Sequence, residues 1–475
     1  MSNKAATVTV RSLKTSHQTE PFTQFKLLSA EMKKEVFEAV SEIFEAAGGK
    51  NMLKSSGDVY LKPNGIDSKP YCYTRAEFVE AVICYWKEAG AKRIFLFENC
   101  TQSNFTRMVF SLTGYSDICR RYGVHEIYLD EEKSEPYIFR GKASEEVEEG
   151  GYADTTFNIP KFVTENLIKR KNENLYINLP KLKTHSMAGV TLGIKNQWAF
   201  PQPSDRRADH NYNLASKLVD MLSYIQPDFT LIEGIEATVH GHYPVTALAD
   251  KCVLPFRVII GSNNVAAADI VGARLFGLTP EEDVQHLQVA LERGYGNGVK
   301  SIDGIEIIGD ISSFDKRYEW DLYPQFPEDV AVLKGSQRCC REGCKNNPLT
   351  LLQNLAYDYN GKGGWTLIMG KGHDPAIINA MTGKVLVAGH CAIKEVGEQL
   401  VSQLGRKNVY FTGFCNDLCA TTNALCNLMN VNPLLMAPMP FFKSVKLLIQ
   451  AKMNKSQANV PFFFAHLFKV NTVWD

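Results

Sequence analysis

The run Leu175-Tyr-Ile-Asn-Leu-Pro-Lys-Leu-Lys-Thr-His185 decides the fold class, because an apolar strand passes directly into a proline and a basic cluster. Similar short apolar runs occur at 58–61, 93–97 and 257–260, and amphipathic helical patterns separate them. Short strands that alternate with helices are typical of a parallel sheet built from right-handed crossovers. The sequence therefore predicts an α/β fold with a mostly parallel sheet and flanking helices.

The same alternation resumes after a stretch without period that is rich in Pro, Asp and aromatic residues. We interpret that stretch as a linker and the following strands and helices as a second, smaller α/β domain. The predicted segments are an N-terminal extension and helix (1–54), an α/β domain with a basic ligand rim (55–311), a linker (312–335), a smaller cysteine-rich α/β domain (336–440), and an amphipathic helix with an apolar tail (441–475).

The charge balance of the 475-residue chain excludes several functional classes. Lys plus Arg and Asp plus Glu each number 52, so the formal net charge is zero. This balance argues against a polybasic nucleic-acid binder and a generally cationic membrane binder. The polar stretch Met1–Thr19 has no apolar core typical of a secretory signal, and no run reaches the length of a membrane span. We therefore expect a cytoplasmic protein.

Basic and amide side chains gather at the carboxyl ends of the predicted strands, where parallel sheets bind ligands. Their amines, amides and hydroxyls suit a carboxylate or a phosphate, and a small anionic substrate is the predicted partner. Lysines at strand ends are individually more often solvated, so the prediction depends on several of them arriving together. The predicted substrate-binding residues are Lys62, Asn64, Lys181, Thr184, Lys195, Asn196, His210 and Asp269.

Three further side chains are candidates for catalysis. His185 ends a Lys-x-Lys-Thr-His run, where nearby cations would lower its pKa and keep the ring available as a base. Lys183 lies in the same run, and Glu233 follows the apolar run 229–232 and is a candidate general base or counter-charge. The alternative for His185 is a structural hydrogen bond. No glycine-rich nucleotide fingerprint follows a strand.

The cysteines predict a metal centre in the second domain. Seven of the twelve lie between 339 and 426, and several follow predicted strands. Cys340, Cys344, Cys391 and Cys415 are the predicted ligands of an iron–sulfur cluster, most simply [4Fe–4S], with zinc or unmetallated thiols as the alternatives. No C-x-x-C pair or ferredoxin-type run is present. A cluster would also imply an electron-transfer partner.

Several of these motifs resemble those of the uncharacterised domain-of-unknown-function family three-sixty-two. The matching runs are Lys62-Pro-Asn64, the stretch 179–196 with its Lys-x-Lys-Thr-His and Lys-Asn elements, and Asn264-Val-Ala-Ala-Ala-Asp269. The resemblance covers about residues 55–300 and implies an α/β fold. Many members of that family are labelled iron–sulfur proteins, often through a fused ferredoxin-type module, whereas this chain has dispersed cysteines. It also implies a shared site at Lys62, Lys181, Lys183, His185, Lys195 and Asn196.

Three functions are therefore open. The leading hypothesis is an iron–sulfur-dependent, oxidoreductase-like enzyme that acts on a small anionic metabolite. The second is a non-redox transferase or ligase that acts on a phosphorylated or carboxylated substrate. The third is a binding or scaffold protein that uses its C-terminal segment, since residues 441–468 combine lysines with apolar side chains. We expect this segment to pack on its own domain or on a second subunit of a homo-oligomer rather than on a membrane.

Overall fold

A computed structural model describes residues 4–16, 22, 25–140, 156–206, 213–413, 415, 417–436, 438–458 and 460. Two larger sheets organise this part of the chain, both with helices on two faces, and β5 and β6 form a separate antiparallel pair. The strands are β1 (Ala6–Ser12), β2 (Asp58–Pro63), β3 (Arg93–Glu98), β4 (His125–Tyr128), β5 (Ser134–Ile138), β6 (Thr156–Pro160), β7 (Leu175–Leu179), β8 (Lys181–His185), β9 (Gly189–Thr191), β10 (Phe229–Thr238), β11 (Val253–Leu254), β12 (Val258–Ser262), β13 (Ile305–Ile308), β14 (Val330–Lys334), β15 (Trp365–Met369), β16 (Lys384–Ala388) and β17 (Val409–Phe411).

The helices fall between these strands, as the alternating pattern predicted. Ser29 begins the first of them by accepting a hydrogen bond from the Met32 N–H at 3.1 Å. The α-helices are α1 (Ala30–Ala46), α2 (Ala76–Glu88), α3 (Thr106–Thr113), α4 (Tyr115–Tyr122), α5 (Lys161–Val163), α6 (Gly193–Asn196), α7 (Leu214–Leu222), α8 (Ala249–Cys252), α9 (Val265–Arg274), α10 (Gln285–Glu292), α11 (Asn346–Tyr359), α12 (Pro375–Asn379), α13 (His390–Leu404), α14 (Leu418–Met429) and α15 (Phe441–Met453).

The large sheet has the strand order β13-β1-β12-β10-β7-β2-β3-β4. Strands β10, β7, β2, β3 and β4 run parallel, whereas β12 is antiparallel to both of its neighbours. Alternate residues of β2 point to opposite faces: Val59 and Leu61 pack with α1 and α2, and Tyr60 packs on the other face. The α/β class with a mostly parallel sheet is confirmed.

The second sheet is smaller and wholly parallel, with the order β14-β15-β16-β17. Leu386 and Ala388 of β16 pack with α11 and α14, while Val385 and Val387 face α13. Its edge strand β14 lies inside the stretch 312–335 that we interpreted as a linker, because a Val-Ala-Val-Leu run too short to stand out pairs with β15. The proposed division into domains stays a prediction. Among the described residues, no helix is long and apolar enough to cross a membrane.

Candidate functional site

Lys62, at the carboxyl end of β2, is a buried ion-pair partner. Its Nζ lies 3.0 and 3.1 Å from the two carboxylate oxygens of Glu98, the last residue of β3. Both side chains are almost completely buried. Burial lowers the pKa of Lys62, and the adjacent Glu98 carboxylate opposes that shift. Lys62 therefore neutralises Glu98 and fixes the ends of two neighbouring parallel strands.

Lys181, the first residue of β8, is part of a second buried ion-pair network. Its Nζ lies 2.8 Å from both carboxylate oxygens of Glu233 and 3.5 Å from Glu236. Arg75 completes the network with two hydrogen bonds to Glu236 and a backbone N–H donated to Glu233. Burial raises the pKa of Glu233, while Lys181 and Arg75 oppose that shift. Glu233 lies inside β10, not at its end, and its oxygens are engaged.

Lys183 differs from both other lysines because its direct partners are neutral. Its Nζ donates to Asn64 Oδ1 at 2.7 Å and to the carbonyl oxygen of Cys72, and the side chain is completely buried. Burial lowers its pKa to about 7, and the positive charges of Lys195 and Lys181 act in the same direction. With this pKa, Lys183 changes charge near neutral pH.

Three asparagines join the elements around these lysines. Asn64 Nδ2 donates to Asn196 Oδ1, and Asn196 Nδ2 donates to Asn178 Oδ1, each at 2.7 Å. Lys62 Nζ also approaches Asn196 Oδ1 at 3.4 Å. These bonds connect the loop after β2, strand β7 and helix α6. The predicted residues Lys62, Asn64, Lys183 and Asn196 are thus brought together.

Asp269, in the middle of α9, holds the short helix α6 that carries Lys195. Its carboxylate accepts the backbone N–H groups of Gly193 and Ile194 at 2.7 and 2.8 Å. A Cβ on Gly193 would lie 2.7 Å from a Val265 methyl group and 2.9 Å from Asp269 Oδ1, so the close approach requires glycine. Burial raises the pKa of Asp269 to about 7. Asp269 acts by positioning α6.

His185 forms a pair with a second histidine that the sequence reasoning missed. The rings of His185 and His242 are parallel within 2°, with centroids 3.8 Å apart. His185 Nδ1 accepts the Met187 N–H at 3.1 Å, so a neutral ring carries its proton on Nε2. Thr184 Oγ1 accepts the Gly241 N–H at 3.0 Å and thereby fixes the loop of His242. His242 lies four residues after β10, which ends at Thr238. The sequence prediction ended this strand at 232 and therefore selected Glu233; the observed end of the strand points to the loop that carries His242.

A cavity of about 150 Å³ lies between the large sheet's basic edge and elements of the second sheet. Ion pairing between Lys69 and Asp358, and a hydrogen bond from Leu418 N to Gln102 Oε1 at 3.3 Å, hold the two sides together. The lining residues include Asn64, Asp67, Glu98, Asn99, Lys183, His185, Lys195, Asn196, Arg206 and His242 on one side, and Asn347, Thr350, Leu351, Leu418 and Met436 on the other.

Several lining groups are hydrogen-bond donors that are buried. Arg206 donates from Nη2 to the Cys100 carbonyl at 2.9 Å, but its Nε has no hydrogen-bond partner within the described ranges. The same holds for Asn347 Nδ2 at the start of α11. Burial raises the pKa of Asp67, which also lines the cavity. Buried donors without acceptors are unfavourable unless a ligand or water accepts from them.

The predicted site residues thus divide into two groups. Asn64, Lys183, His185, Lys195 and Asn196 line the cavity. The other described residues do not line the cavity and instead form ion pairs or hydrogen bonds around it. Those outside the lining are Lys62, Lys181, Thr184, Glu233 and Asp269, whereas His210 lies outside the described residues.

The predicted metal ligands follow strands of the second sheet at its carboxyl edge. Cys340 and Cys344 lie between β14 and α11, Cys391 is in the first turn of α13, and Cys415 follows β17. A hydrogen bond with Cys344 raises the pKa of Cys340, and burial raises that of Cys415, with Cys391 and Cys340 contributing. Cys339, which is not among the predicted ligands, hydrogen-bonds with Cys344, and this bond lowers the pKa of Cys339.

These thiols have the chemistry of cluster ligands but not their arrangement. Thiolates are the usual ligands of iron–sulfur and many zinc sites. Nevertheless, over the part of the chain that the structure describes, no three His, Cys, Asp or Glu side chains form a group able to hold a metal ion. Cys344, whose hydrogen bond with Cys339 raises its pKa to about 12, is a protonated thiol at neutral pH.

Comparison with known proteins finds similarity mainly in the central region of the chain. Residues 59–274 match the model of the family described as Domain of unknown function (DUF362). A thylakoid-associated protein from Synechocystis sp. is 29% identical over 210 residues, which cover 41% of this chain and 57% of that protein. A crystal structure of a protein from Thermotoga maritima aligns over 84% of this chain and 82% of its own, with 11% identity and a TM-score of 0.33.

Proposed function

We propose that this protein, whose residues 59–274 form a DUF362 domain, is an enzyme that holds a small anionic molecule in the cavity between its two sheets. The unpartnered Arg206 Nε and Asn347 Nδ2 carry the proposal, because both are buried donors without acceptors within the described ranges. A carboxylate or phosphate supplies acceptor oxygens and negative charge to such donors. Lys183 and Lys195 line the same cavity and add positive charge.

Lys183 and His185 are the proposed acid–base pair of this site. Because the pKa of Lys183 is lowered to about 7, its amine exchanges a proton at neutral pH without a large free-energy cost. Asn64 and the Cys72 carbonyl accept hydrogen bonds from its Nζ in either protonation state and keep it in place. The neutral His185 ring presents a proton donor on Nε2. In the proposed role, these two groups move protons at a bound substrate.

The binding proposal is tested by thermal unfolding with a panel of anions: inorganic phosphate, sulfate, a dicarboxylate and a tricarboxylate. An anion present at about 100 times its Kd stabilises the folded state by about 2.7 kcal/mol. We expect at least one of them to raise the melting temperature of the wild type. Arg206→Gln and Asn347→Leu should remove that increase, because each takes away a donor from the cavity.

The matched control is Arg120→Gln, since Arg120 is an exposed arginine of α4. This variant should respond to the anion as the wild type does. An anion that stabilises Arg206→Gln, Asn347→Leu and the control equally binds elsewhere, and the cavity proposal would then be wrong. Lys183→Met should bind the anion more weakly and lose turnover, whereas Lys183→Arg should restore binding but not proton transfer, because an arginine stays charged.

We also propose an iron–sulfur cluster at the cysteine edge as the second functional element, which would make the enzyme oxidoreductase-like. The support is that Cys339, Cys340 and Cys344 interact with one another and that Cys391 and Cys340 raise the pKa of Cys415 at the same edge. The thiols would have to rearrange and lose protons to bind iron. Asn347, which lines the cavity, comes three residues after Cys344, so the cluster would stand beside the anion site.

Anaerobic purification with iron and sulfide analysis tests the cluster. We expect iron, sulfide and a paramagnetic signal after reduction in the wild type, and their loss in Cys391→Ser. The control is Cys84→Ser, since Cys84 lies in helix α2, which packs on the large sheet and not on the small sheet that carries the predicted ligands. Iron-free wild-type protein would leave the alternative of a non-redox transferase or ligase that uses the same anion site. If the cluster is present, we also expect a cytoplasmic location and an electron-transfer partner.

A further inference from the structure

One face of helix α15 packs on α3, beside the large sheet. Ala451 is buried against Phe105 and Met108 of the α3 region. The turn after the helix is held by Asp130, whose carbonyl accepts the Gln457 N–H at 2.7 Å and whose carboxylate accepts the Ser456 hydroxyl. The helix is thus fixed in orientation.

The opposite face of α15 carries an exposed apolar stripe. Phe442 is 85% exposed, Ile449 54% and Met453 78%. Spacings of seven and four residues place these three side chains in one row along the helix. Phe441, in the same helix, and Leu435, which precedes it, are also exposed. Of the nine large apolar side chains exposed in the described part of the chain, five therefore lie between 435 and 453, a concentration that marks an interaction surface.

The same face is positively charged. Lys446 falls within the row of Phe442, Ile449 and Met453 by its spacing, and Lys443 and Lys452 are exposed on the same helix. No aspartate or glutamate occurs between Asp417 and Asp475, although the whole chain has a formal net charge of zero. The lysines of α15 therefore have no acidic residue within the segment 418–474 that could neutralise their charge. A partner for this face must therefore combine an apolar layer with negative charge.

We propose that α15 docks this protein on the surface of an anionic lipid bilayer. A helix that lies in the interface of a bilayer inserts its apolar row among the acyl chains, while lysine side chains extend to the headgroups. Phe442, Ile449 and Met453 provide the row, and Lys443 and Lys446 provide contacts with anionic headgroups. Lys452 Nζ instead donates to the Ser456 and Ala458 carbonyls at 3.2 and 2.7 Å and adds positive charge nearby. A bilayer accepts protruding side chains from a convex helix, whereas a protein partner would need a groove that matches them.

Vesicle co-sedimentation of the full chain tests this proposal. We expect the wild type to sediment with vesicles of phosphatidylcholine and phosphatidylglycerol, and binding should weaken as salt is raised. The double variant Phe442→Ser/Ile449→Ser should bind at least tenfold more weakly, because two inserted side chains are removed. Lys443→Gln and Lys446→Gln should each lower the partition coefficient about fivefold, since one lysine near such a surface contributes about 1 kcal/mol.

The matched control is Leu27→Ser/Ile377→Ser, which removes two exposed apolar side chains elsewhere on the surface. It should bind vesicles as the wild type does. Equal sedimentation of the wild type with pure phosphatidylcholine would overturn the electrostatic part of the proposal. Unchanged vesicle binding by Phe442→Ser/Ile449→Ser would overturn the whole proposal. A wild-type dimer that becomes monomeric in this variant would also overturn it, because the stripe would then contact a second copy of the chain.

A truncation after residue 460 separates α15 from the remaining terminal residues. We expect the truncated chain to keep the anionic-lipid preference and the sensitivity to Phe442→Ser/Ile449→Ser. Loss of all binding on truncation, with the substitutions in α15 having no effect, would assign the membrane contact to 461–475 and contradict the proposal. Capture of an acidic protein by the wild type without vesicle binding would also contradict it.

Discussion

The lysines of the large sheet and the thiols of the small sheet both follow parallel strands, yet they differ in how they are held. Lys62 and Lys181 each meet a glutamate at 2.8–3.1 Å inside a closed, buried network. The thiols of Cys339, Cys340 and Cys344 interact with one another, with Arg338 Nε and with the Cys340 carbonyl, and none of them meets a carboxylate in these contacts. The lysines are therefore held by counter-charges of the chain, whereas the thiols are held by weaker contacts of sulfur.

This difference separates residues that build a site from residues that act in it. A buried charge that has a hydrogen-bonded counter-charge is structural until shown otherwise, because its removal exposes the partner. Lys183, which has neutral partners and a lowered pKa, is the group able to respond to a ligand. The comparison predicts large stability effects at Lys181, a pH-dependent effect at Lys183, and small effects at the thiols.

The largest expected effect is that of Lys181→Met. The substitution leaves Glu233 and Glu236 buried with Arg75 as their remaining cation, and loss of one partner of such a pair costs about 3–5 kcal/mol. Urea titrations should show this decrease in the free energy of unfolding, and Lys181→Met/Glu233→Gln should recover part of it. A decrease below about 1 kcal/mol would mean that Lys181 is not a structural ion-pair partner.

Asp269→Ala should have the next largest effect. It removes the acceptor of two buried backbone N–H groups, those of Gly193 and Ile194. Each unsatisfied group costs about 1–3 kcal/mol, so the expected loss for the two groups is about 2–6 kcal/mol. Asp269→Asn, which keeps one acceptor oxygen, should lose less. Anion binding in the cavity should weaken in both variants because α6 carries Lys195, and an unchanged affinity would argue against a positioning role.

Much of the fold was predictable because its signals are local. Strand β7 is a buried apolar run followed by a proline, and α1 begins with the Ser29 cap, so periodicity and capping suffice for both. Strand β14 was not recognised, because its pairing with β15 is non-local and its short run stands among acidic and aromatic residues. The antiparallel direction of β12 also depends on partners far away in the chain.

The site was predictable in residue type and only partly in role. The strand-end rule found Lys183, His185, Lys195 and Asn196, all of which line the cavity. It could not show that Lys62 faces Glu98, because that pairing joins two strands whose adjacency is set by the sheet order. Asn347 reaches the cavity from the second sheet's first helix, and no pattern in its own segment indicates that contact.

The third prediction concerns the pH dependence of stability that Lys183 creates. Its pKa falls from 10.5 in the unfolded chain to about 7 in the folded one, so between these values the unfolded state binds more protons. Stability should therefore rise with pH above about 7, by up to about 1.4 kcal/mol per pH unit, whereas below about pH 7 Lys183 adds no pH dependence because it is protonated in both states.

Lys183→Met is the reference for this measurement, because it keeps every other titrating group. The free energy of unfolding of the wild type minus that of the variant should increase between pH 7 and about pH 9. For Lys62→Met, measured in the same way, we expect mainly a lower free energy of unfolding, because Glu98 loses its ion-pair partner. A wild-type-minus-Lys183→Met difference that is flat with pH would mean that Lys183 remains charged throughout.

The smallest effects are expected at the cysteine edge. Cys339 and Cys340 are half-buried, and their thiols, which are weak donors and acceptors, interact with Cys344 and, in the case of Cys340, with Arg338 Nε at 3.2 Å. Cys339→Ala and Cys340→Ala should each change the free energy of unfolding by less than about 1 kcal/mol when iron and zinc are removed by chelation. After anaerobic reconstitution with iron and sulfide, a bound cluster would stabilise the wild type and Cys339→Ala but not Cys340→Ala, because Cys340 is a predicted ligand and Cys339 is not. A loss above about 2 kcal/mol in the chelated protein would contradict the comparison, because the thiols would then be structural without a metal.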